Sequence, residues 1–194
     1  MRPLADEIRP QTLDDVAGQK HLLGEGALLR RLIENGTDAN LIFYGPSGTG
    51  KTTVANIIAK QAKKALYTLN ATTASLQDVK NVMADVDTMM APNGILLYLD
   101  EIQYFNRKQQ QSLLEYIEDG RVTLIASTTE NPHFYVYNAL ISRSSLFEFR
   151  PVPPAACVRA LRRALDALNE ETQSKKTADD AFLADIGRMA GGDV

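Results

Sequence analysis

The octapeptide Gly45-Pro46-Ser47-Gly48-Thr49-Gly50-Lys51-Thr52 constrains this chain more than any other feature. It fits G-x-x-x-x-G-K-[ST]. It stands between the apolar run Leu41-Ile42-Phe43-Tyr44 and a stretch from Lys51 to Lys64 that carries Val54, Ile57, Ile58 and Ala62 on one helical face. A strand, a glycine-rich turn and a helix in that order make a phosphate cradle. The glycines let backbone N–H groups converge on phosphate oxygens, and the helix N-terminus adds positive potential. The motif implies ATP as ligand, with Lys51 reaching the β and γ phosphates and the Thr52 hydroxyl ligating Mg²⁺.

The rest of the pattern supplies a sheet for that loop. Ala65 to Leu69 predicts a second strand, and Ser75 a capped helix with Val79, Val82, Met83 and Val86 inward. After the turn Pro92-Asn93-Gly94, Ile95 to Leu99 is continuously apolar, as in a strand covered on both faces of a parallel sheet. Asn106 caps a helix through Glu118; Val122 to Ala126 and Leu146 to Phe149 complete five strands. Strands alternating with helices predict an α/β class, a five-stranded parallel sheet flanked by helices. The character changes at Pro151-Val152-Pro153-Pro154, beyond which Cys157 to Leu168 and Ala181 to Ala190 read as helices joined by the polar stretch Glu170 to Thr177. The expected division is a nucleotide-binding domain over 1–150 and a small, incomplete helical lid over 151–194.

Composition removes several other classes. Among 194 residues, 21 Lys and Arg stand against 24 Asp and Glu, a net charge of −3, so any basic surface is local. One cysteine, Cys157, excludes an internal disulfide, and the two histidines, His21 and His133, are too far apart in sequence to suggest a metal cage. No apolar run approaches the ~20 residues of a membrane helix, and the first residues lack the apolar core of a signal peptide. A cytoplasmic location is expected. His21, His133 and the Arg159, Arg162, Arg163 run read as solvated side chains, and Cys157 as a small apolar residue of the lid.

Two further segments carry chemistry. Asp100-Glu101 ends the apolar strand, where Asp100 would hold Mg²⁺ and Glu101 would orient and polarise an attacking water. A small-molecule kinase needs no such glutamate, because its substrate hydroxyl is the nucleophile. The strand from Val122 runs into Ser127-Thr128-Thr129; placed between the first and third strands, it would turn Thr129 toward the γ-phosphate.

The order of phosphate loop, apolar-Asp-Glu, Thr-Thr and Ser142-Arg143 resembles the AAA+ superfamily. More narrowly, the chain resembles the replication-associated recombination protein A family and its eukaryotic relative, the Werner-helicase-interacting protein. The carrying residues are the leader Leu4 to Gln19, Ile117-Glu118-Asp119-Gly120, Thr128-Thr129-Glu130-Asn131-Pro132 and Asn138 to Arg143. The resemblance spans essentially the whole chain. It implies that Val16 and Gly18 pack near the adenine, that Thr129 is the sensor-1 residue, and that Arg143 is an arginine finger acting on a neighbouring subunit's ATP. A guanidinium suits that task, being always charged and able to fork onto γ-phosphate oxygens.

The resemblance also implies a homo-oligomer in the full-length protein, and DNA, single-stranded or forked, as partner at stalled replication forks. Single-strand-binding protein is a candidate partner, no membrane is involved, and a bacterial protein would be nucleoid-associated. Two departures stand out. Where the family has His-Arg-Phe-Asn-Lys, this chain has Gln103-Tyr104-Phe105-Asn106-Arg107, losing a basic residue at 104 while Arg107 and Lys108 remain. The chain also stops at Val194, before the position of the family's sensor-2 arginine, so weak hydrolysis is expected. The competing readings are a clamp-loader or branch-migration subunit, a P-loop small-molecule kinase, and an ATP-binding scaffold without turnover.

Overall fold

The computed structural model describes residues 8–36, 38–86, 88–120 and 122–192; Leu4 to Glu7 of the leader, and Asp193 and Val194 at the chain's end, lie outside them. In chain order the elements are α1 (Lys20–Leu23), α2 (Leu28–Glu34), β1 (Asn40–Tyr44), α3 (Lys51–Ala62), β2 (Ala65–Asn70), α4 (Leu76–Met83) and β3 (Ile95–Asp100). Then follow α5 (Arg107–Ile117), β4 (Val122–Thr128), α6 (Pro132–Tyr135), α7 (Asn138–Ile141), β5 (Ser144–Glu148), α8 (Pro154–Thr172) and α9 (Asp180–Met189). Short 3-10 turns at Leu13–Asp15 and Ile102–Tyr104 add to these.

The strands form one parallel sheet in the order β2-β3-β4-β1-β5. The continuous apolar runs divide by parity between its two faces. Leu41, Phe43, Leu96, Tyr98 and Ile125 pack with Leu29 and Ile33 of α2 and Val54, Ile57 and Ile58 of α3. Ile42, Ile95, Leu97, Leu99, Leu124 and Ala126 pack with Val79 and Val82 of α4 and Leu113 and Ile117 of α5. Each such Val, Leu, Ile or Phe side chain withdrawn from water contributes roughly 1.5–3 kcal/mol.

Local signals set the helix ends. Ser75 and Asp78 form a reciprocal capping box on α4, and Asn106 and Gln109 do the same on α5. Hydrogen bonding to the Ser75 backbone and hydroxyl holds the Asp78 carboxyl below its usual range. The α4 helix stops at Met83, so Val86 reaches the core from beyond the helix rather than on its face. The last strand begins at Ser144, two residues before its apolar run, because Asn40 and Leu41 offer backbone pairing to Ser144 and Ser145. The α8 helix is longer than its apolar pattern. Pro153 and Pro154 start it, and it continues through Thr172 into the expected linker. The remaining link folds onto Asn169, whose amide donates to the Lys176 carbonyl at 2.8 Å while its oxygen accepts from Ser174 and Lys176.

Gly45, at the exit of β1, has φ +135°, and a Cβ there would lie 2.0 Å from the Phe149 carbonyl oxygen. Gly45→Ala should therefore destabilise the fold by at least the ~1–3 kcal/mol of a forbidden backbone conformation. A urea midpoint equal to that of the unsubstituted chain would show that this crossing is looser than the geometry indicates.

Candidate active site

Three strands end at one place. The Gly45 amide donates to the Thr128 carbonyl at 3.1 Å, so the phosphate loop leaves β1 beside the end of β4. The adjoining β3 delivers Asp100 and Glu101. The loop itself is Gly45 through Thr52: Gly48 and Gly50 have φ +65° and +97°, conformations glycine adopts freely. Thr49 is buried, and its hydroxyl donates to the Pro46 carbonyl at 2.8 Å, drawing the loop into a ring; Ser47 is exposed at its rim.

Lys51 opens α3 and is buried; its ammonium donates to the Gly45 and Pro46 carbonyls, both at 2.7 Å. Burial pushes its pKa below the ordinary lysine range, opposed by the Glu101 and Asp100 carboxylates. The lysine thus sits across the loop, facing both carboxylates.

Beneath it lies a hydroxyl network. Tyr98, 1% exposed, has its hydroxyl 3.0 Å from Thr52 Oγ1 and donates toward Ser127 Oγ at 3.0 Å and Asp100 Oδ1 at 3.3 Å. Ser127 in turn donates to Asp100 Oδ1. Burial pushes the Tyr98 phenol up to about 12. The network fixes Thr52 and Asp100, the two residues assigned to Mg²⁺, relative to one another. That donor set, one hydroxyl and one carboxylate, fits a hard cation that keeps most of its waters and takes phosphate oxygens. Among the described residues no cluster of three or more His, Cys, Asp or Glu side chains could hold a metal alone.

Glu101 has φ +56°, an uncommon conformation for a side-chain-bearing residue. It starts the 3-10 turn, and its carboxylate accepts from the Gln103 amide and, at 3.4 Å, from the Thr129 hydroxyl. Thr129 lies one residue beyond β4, which runs between β3 and β1. Gln103 Oε1 is buried and, among the described residues, lacks a hydrogen-bond partner.

The leader closes the other side. Val16 and Ala17, with Gly48, Gly50, Thr53 and Val152, line a cleft of about 180 Å³ beside the loop. Gly18 stands behind it, where a Cβ would lie 3.2 Å from Val152. Arg143 is not in this group. It precedes β5 and pairs with Glu118 at 2.8 Å, near the start of β1, since Ser144 pairs with Asn40. Gly45 lies five residues further along, ~17 Å at strand rise.

The Arg159, Arg162, Arg163 run is not merely solvated. Arg163 meets the Asp15 carboxylate at 3.3 Å and the Asp15 carbonyl at 3.2 Å, tying α8 to the leader; Arg162 pairs with Asp180. His21, although exposed, donates to the Glu148 carbonyl at 2.8 Å. His133 is exposed and Cys157 buried, as expected.

Sequence reading missed Tyr98, Ser127, Gln103 and Gln19. Buried Gln19, at φ +52°, donates to the Thr49 carbonyl at 3.2 Å and the Arg150 carbonyl at 2.6 Å, and accepts from the Arg150 amide at 3.0 Å. It joins leader, phosphate loop and the exit of β5. The only sequence signals were a tyrosine inside a doubly covered strand and a glutamine after a glycine.

The sequence pattern of the family described as "ATPase family associated with various cellular activities (AAA)" matches residues 41–152. The chain is 38% identical to Replication-associated recombination protein A of Haemophilus influenzae, over 84% of this chain and 37% of that protein. It is 33% identical to the Bacillus subtilis protein of that name, over 100% of this chain and 46% of that protein. With ATPase WRNIP1 of Dictyostelium discoideum the identity is 31%, over 99% and 22%. The chain thus spans less than half the length of these relatives. Among solved structures, the Thermotoga maritima RuvB Holliday junction branch migration motor has the same fold, with TM-score 0.73 at 23% identity, over 93% of this chain and 59% of that one.

Gln19→Leu should cost about 1–3 kcal/mol by leaving the Arg150 amide and the Thr49 carbonyl unpaired in a buried place. The expected observation is a lower urea midpoint with an unchanged slope. An unshifted midpoint would mean that Gln19 does not hold these segments together.

Proposed function

The chain belongs to the AAA family of ATPases, and from that premise we propose that it is the Mg²⁺-dependent, ATP-hydrolysing core of a protein acting on DNA in replication and recombination. The observation that carries the enzymatic part is the meeting of Lys51, Thr52, Asp100, Glu101 and Thr129 at the ends of β1, β3 and β4. The DNA part is supported by the likeness to proteins named for replication-associated recombination. Cytoplasmic location belongs to the same reading; among the described residues no helix is long and apolar enough to cross a membrane.

In this reading Gly45 to Thr52 wrap the triphosphate, and Val16 and Ala17 receive the adenine with Gly18 behind them. Lys51 turns from the Gly45 and Pro46 carbonyls to the β and γ phosphates. Thr52 and Asp100 would hold Mg²⁺, which supplies charge neutralisation at the phosphates when bound. Glu101 accepts a proton from the attacking water, and Thr129, hydrogen-bonded to it, orders that water against the γ-phosphate. Residues 1–150 are read as the nucleotide-binding unit and 151–194 as a helical lid.

Arg143 supports an oligomer. Separated from its own phosphate loop by the length of β1, it is suited to the ATP of a second copy. The monomer should therefore hydrolyse ATP weakly. DNA structure and single-strand-binding protein as partner remain parts of the proposal.

Three measurements test this. Lys51→Ala should abolish or greatly weaken ATP binding by calorimetry. Glu101→Gln should bind ATP normally and lose roughly 10²–10⁴-fold in turnover; retained turnover would remove Glu101 from the role of base. Specific ATPase activity should rise with protein concentration, and Arg143→Ala should flatten that rise, since a finger supplied in trans is worth ~10³–10⁵ in kcat. Activity that is independent of concentration and unaffected by Arg143→Ala would refute the trans assignment.

A further inference from the structure

Four aromatic side chains are strongly exposed among the described residues, and three belong to two neighbouring loops: Tyr104 is 64% exposed, Phe134 82% and Tyr135 51%. Tyr104 ends the 3-10 turn that Glu101 starts. Phe134 and Tyr135 lie in α6, which begins three residues after Thr129.

A single buried side chain holds the two loops together. Gln110 of α5, 3% exposed, donates its amide to the Phe105 carbonyl at 2.9 Å and the Tyr135 carbonyl at 3.1 Å. Its oxygen accepts from the Tyr137 amide at 2.7 Å. Beside this joint lies an open cleft of about 570 Å³ lined by Arg107, His133, Phe134, Tyr135 and Asn138. Arg107 and Lys108 are exposed on the first turn of the 11-residue α5, whose N-terminus adds positive potential. The Arg107 guanidinium lies 5.0 Å from the Tyr137 ring centroid.

We propose that Tyr104, Phe134 and Tyr135, with Arg107 and Lys108, form a stacking platform for single-stranded nucleic acid. The proposal rests on the reading that this chain acts on DNA, and gives that activity a place. Exposed rings beside cations suit unpaired bases, which stack on any π-face while their phosphates meet the positive groups. A duplex offers no free base faces. An apolar protein partner leaves the cations and the helix N-terminus unused, so single-stranded nucleic acid is the occupant the charges favour. The placement also links binding to chemistry. One arm of the platform starts at Glu101 and the other follows Thr129, and these two side chains are hydrogen-bonded to each other at 3.4 Å. A strand held across both arms fixes the geometry of the pair that orders the attacking water.

The test is fluorescence anisotropy of a labelled oligothymidylate, ~20 nucleotides long, with this chain. A duplex of equal length and ATP affinity by calorimetry serve as controls. The single strand should bind better than the duplex. Tyr104→Ala and Phe134→Ala should each weaken it about ten-fold, as loss of one stacked base does, with ATP affinity unchanged. Phe134→Tyr should keep full binding, and Lys108→Ala should lower the salt slope by ~0.7. If the strand binds but both aromatic variants match the unsubstituted chain, the platform is wrong while the DNA reading stands. If ATP is hydrolysed but no strand binds, the DNA reading fails with the platform. If the variants lose self-association in sedimentation and keep strand binding, the surface is an interface between copies and the proposal is overturned.

Discussion

Where β1 passes into the phosphate loop, the chain meets the exit of β5 so closely that the position excludes any side chain. The Phe149 carbonyl occupies the space of a Cβ on Gly45, the Phe149 amide donates to the Tyr44 carbonyl at 2.7 Å, and the Gly45 amide donates to Thr128. Three strands are thereby locked edge to edge at their ends. The phosphate loop continues from β1 at that lock and Thr129 from β4, while Asp100 and Glu101 come from β3 on the far side of β4. Parallel pairing makes this possible, because every strand end of one polarity falls on one side of the sheet.

The same polarity keeps Arg143 apart from the phosphate loop. Glu101 and Thr129 share the rim with Lys51, whereas Arg143 and its partner Glu118 lie at the starts of the strands. Arg143 is thereby held about a strand's length from the phosphate loop of its own chain. Beneath the rim, the buried Tyr98 hydroxyl joins Thr52, Ser127 and Asp100 in a partly buried network. A buried polar network with its partners in place is rigid. Thr52 and Asp100, the residues that would hold Mg²⁺, are therefore joined through Tyr98 without a cation.

Glutamines do much of the joining. Gln19 binds the leader to the phosphate loop and to Arg150, and Gln110 binds the loop after β3 to the loop after β4. Each presents a donor and an acceptor at one point, so one uncharged side chain satisfies backbone groups from separate segments without the cost of burying a charge. The α8 helix is held differently, by Arg163 against Asp15 on the leader, at a half-exposed surface where the two charges remain partly hydrated.

The local sequence determined the α/β class, the five strands, the capped starts of α4 and α5, and the phosphate loop, because these depend on periodicity, caps and glycine within a few residues. The strand ending in hydroxyls pointed to Thr129, and family likeness added Arg143. Strand ends were less legible: β4 runs on to Thr128 and β5 starts at Ser144, since backbone pairing with β1 extends both beyond their apolar stretches. Tyr98 read as one more apolar residue, and Gln19, Gln103 and Gln110 as ordinary polar ones. Only the tertiary structure decided their roles, because a hydrogen bond spanning 29 residues from Tyr98 to Ser127, or 131 from Gln19 to Arg150, depends on strand order and leaves no local period in the chain.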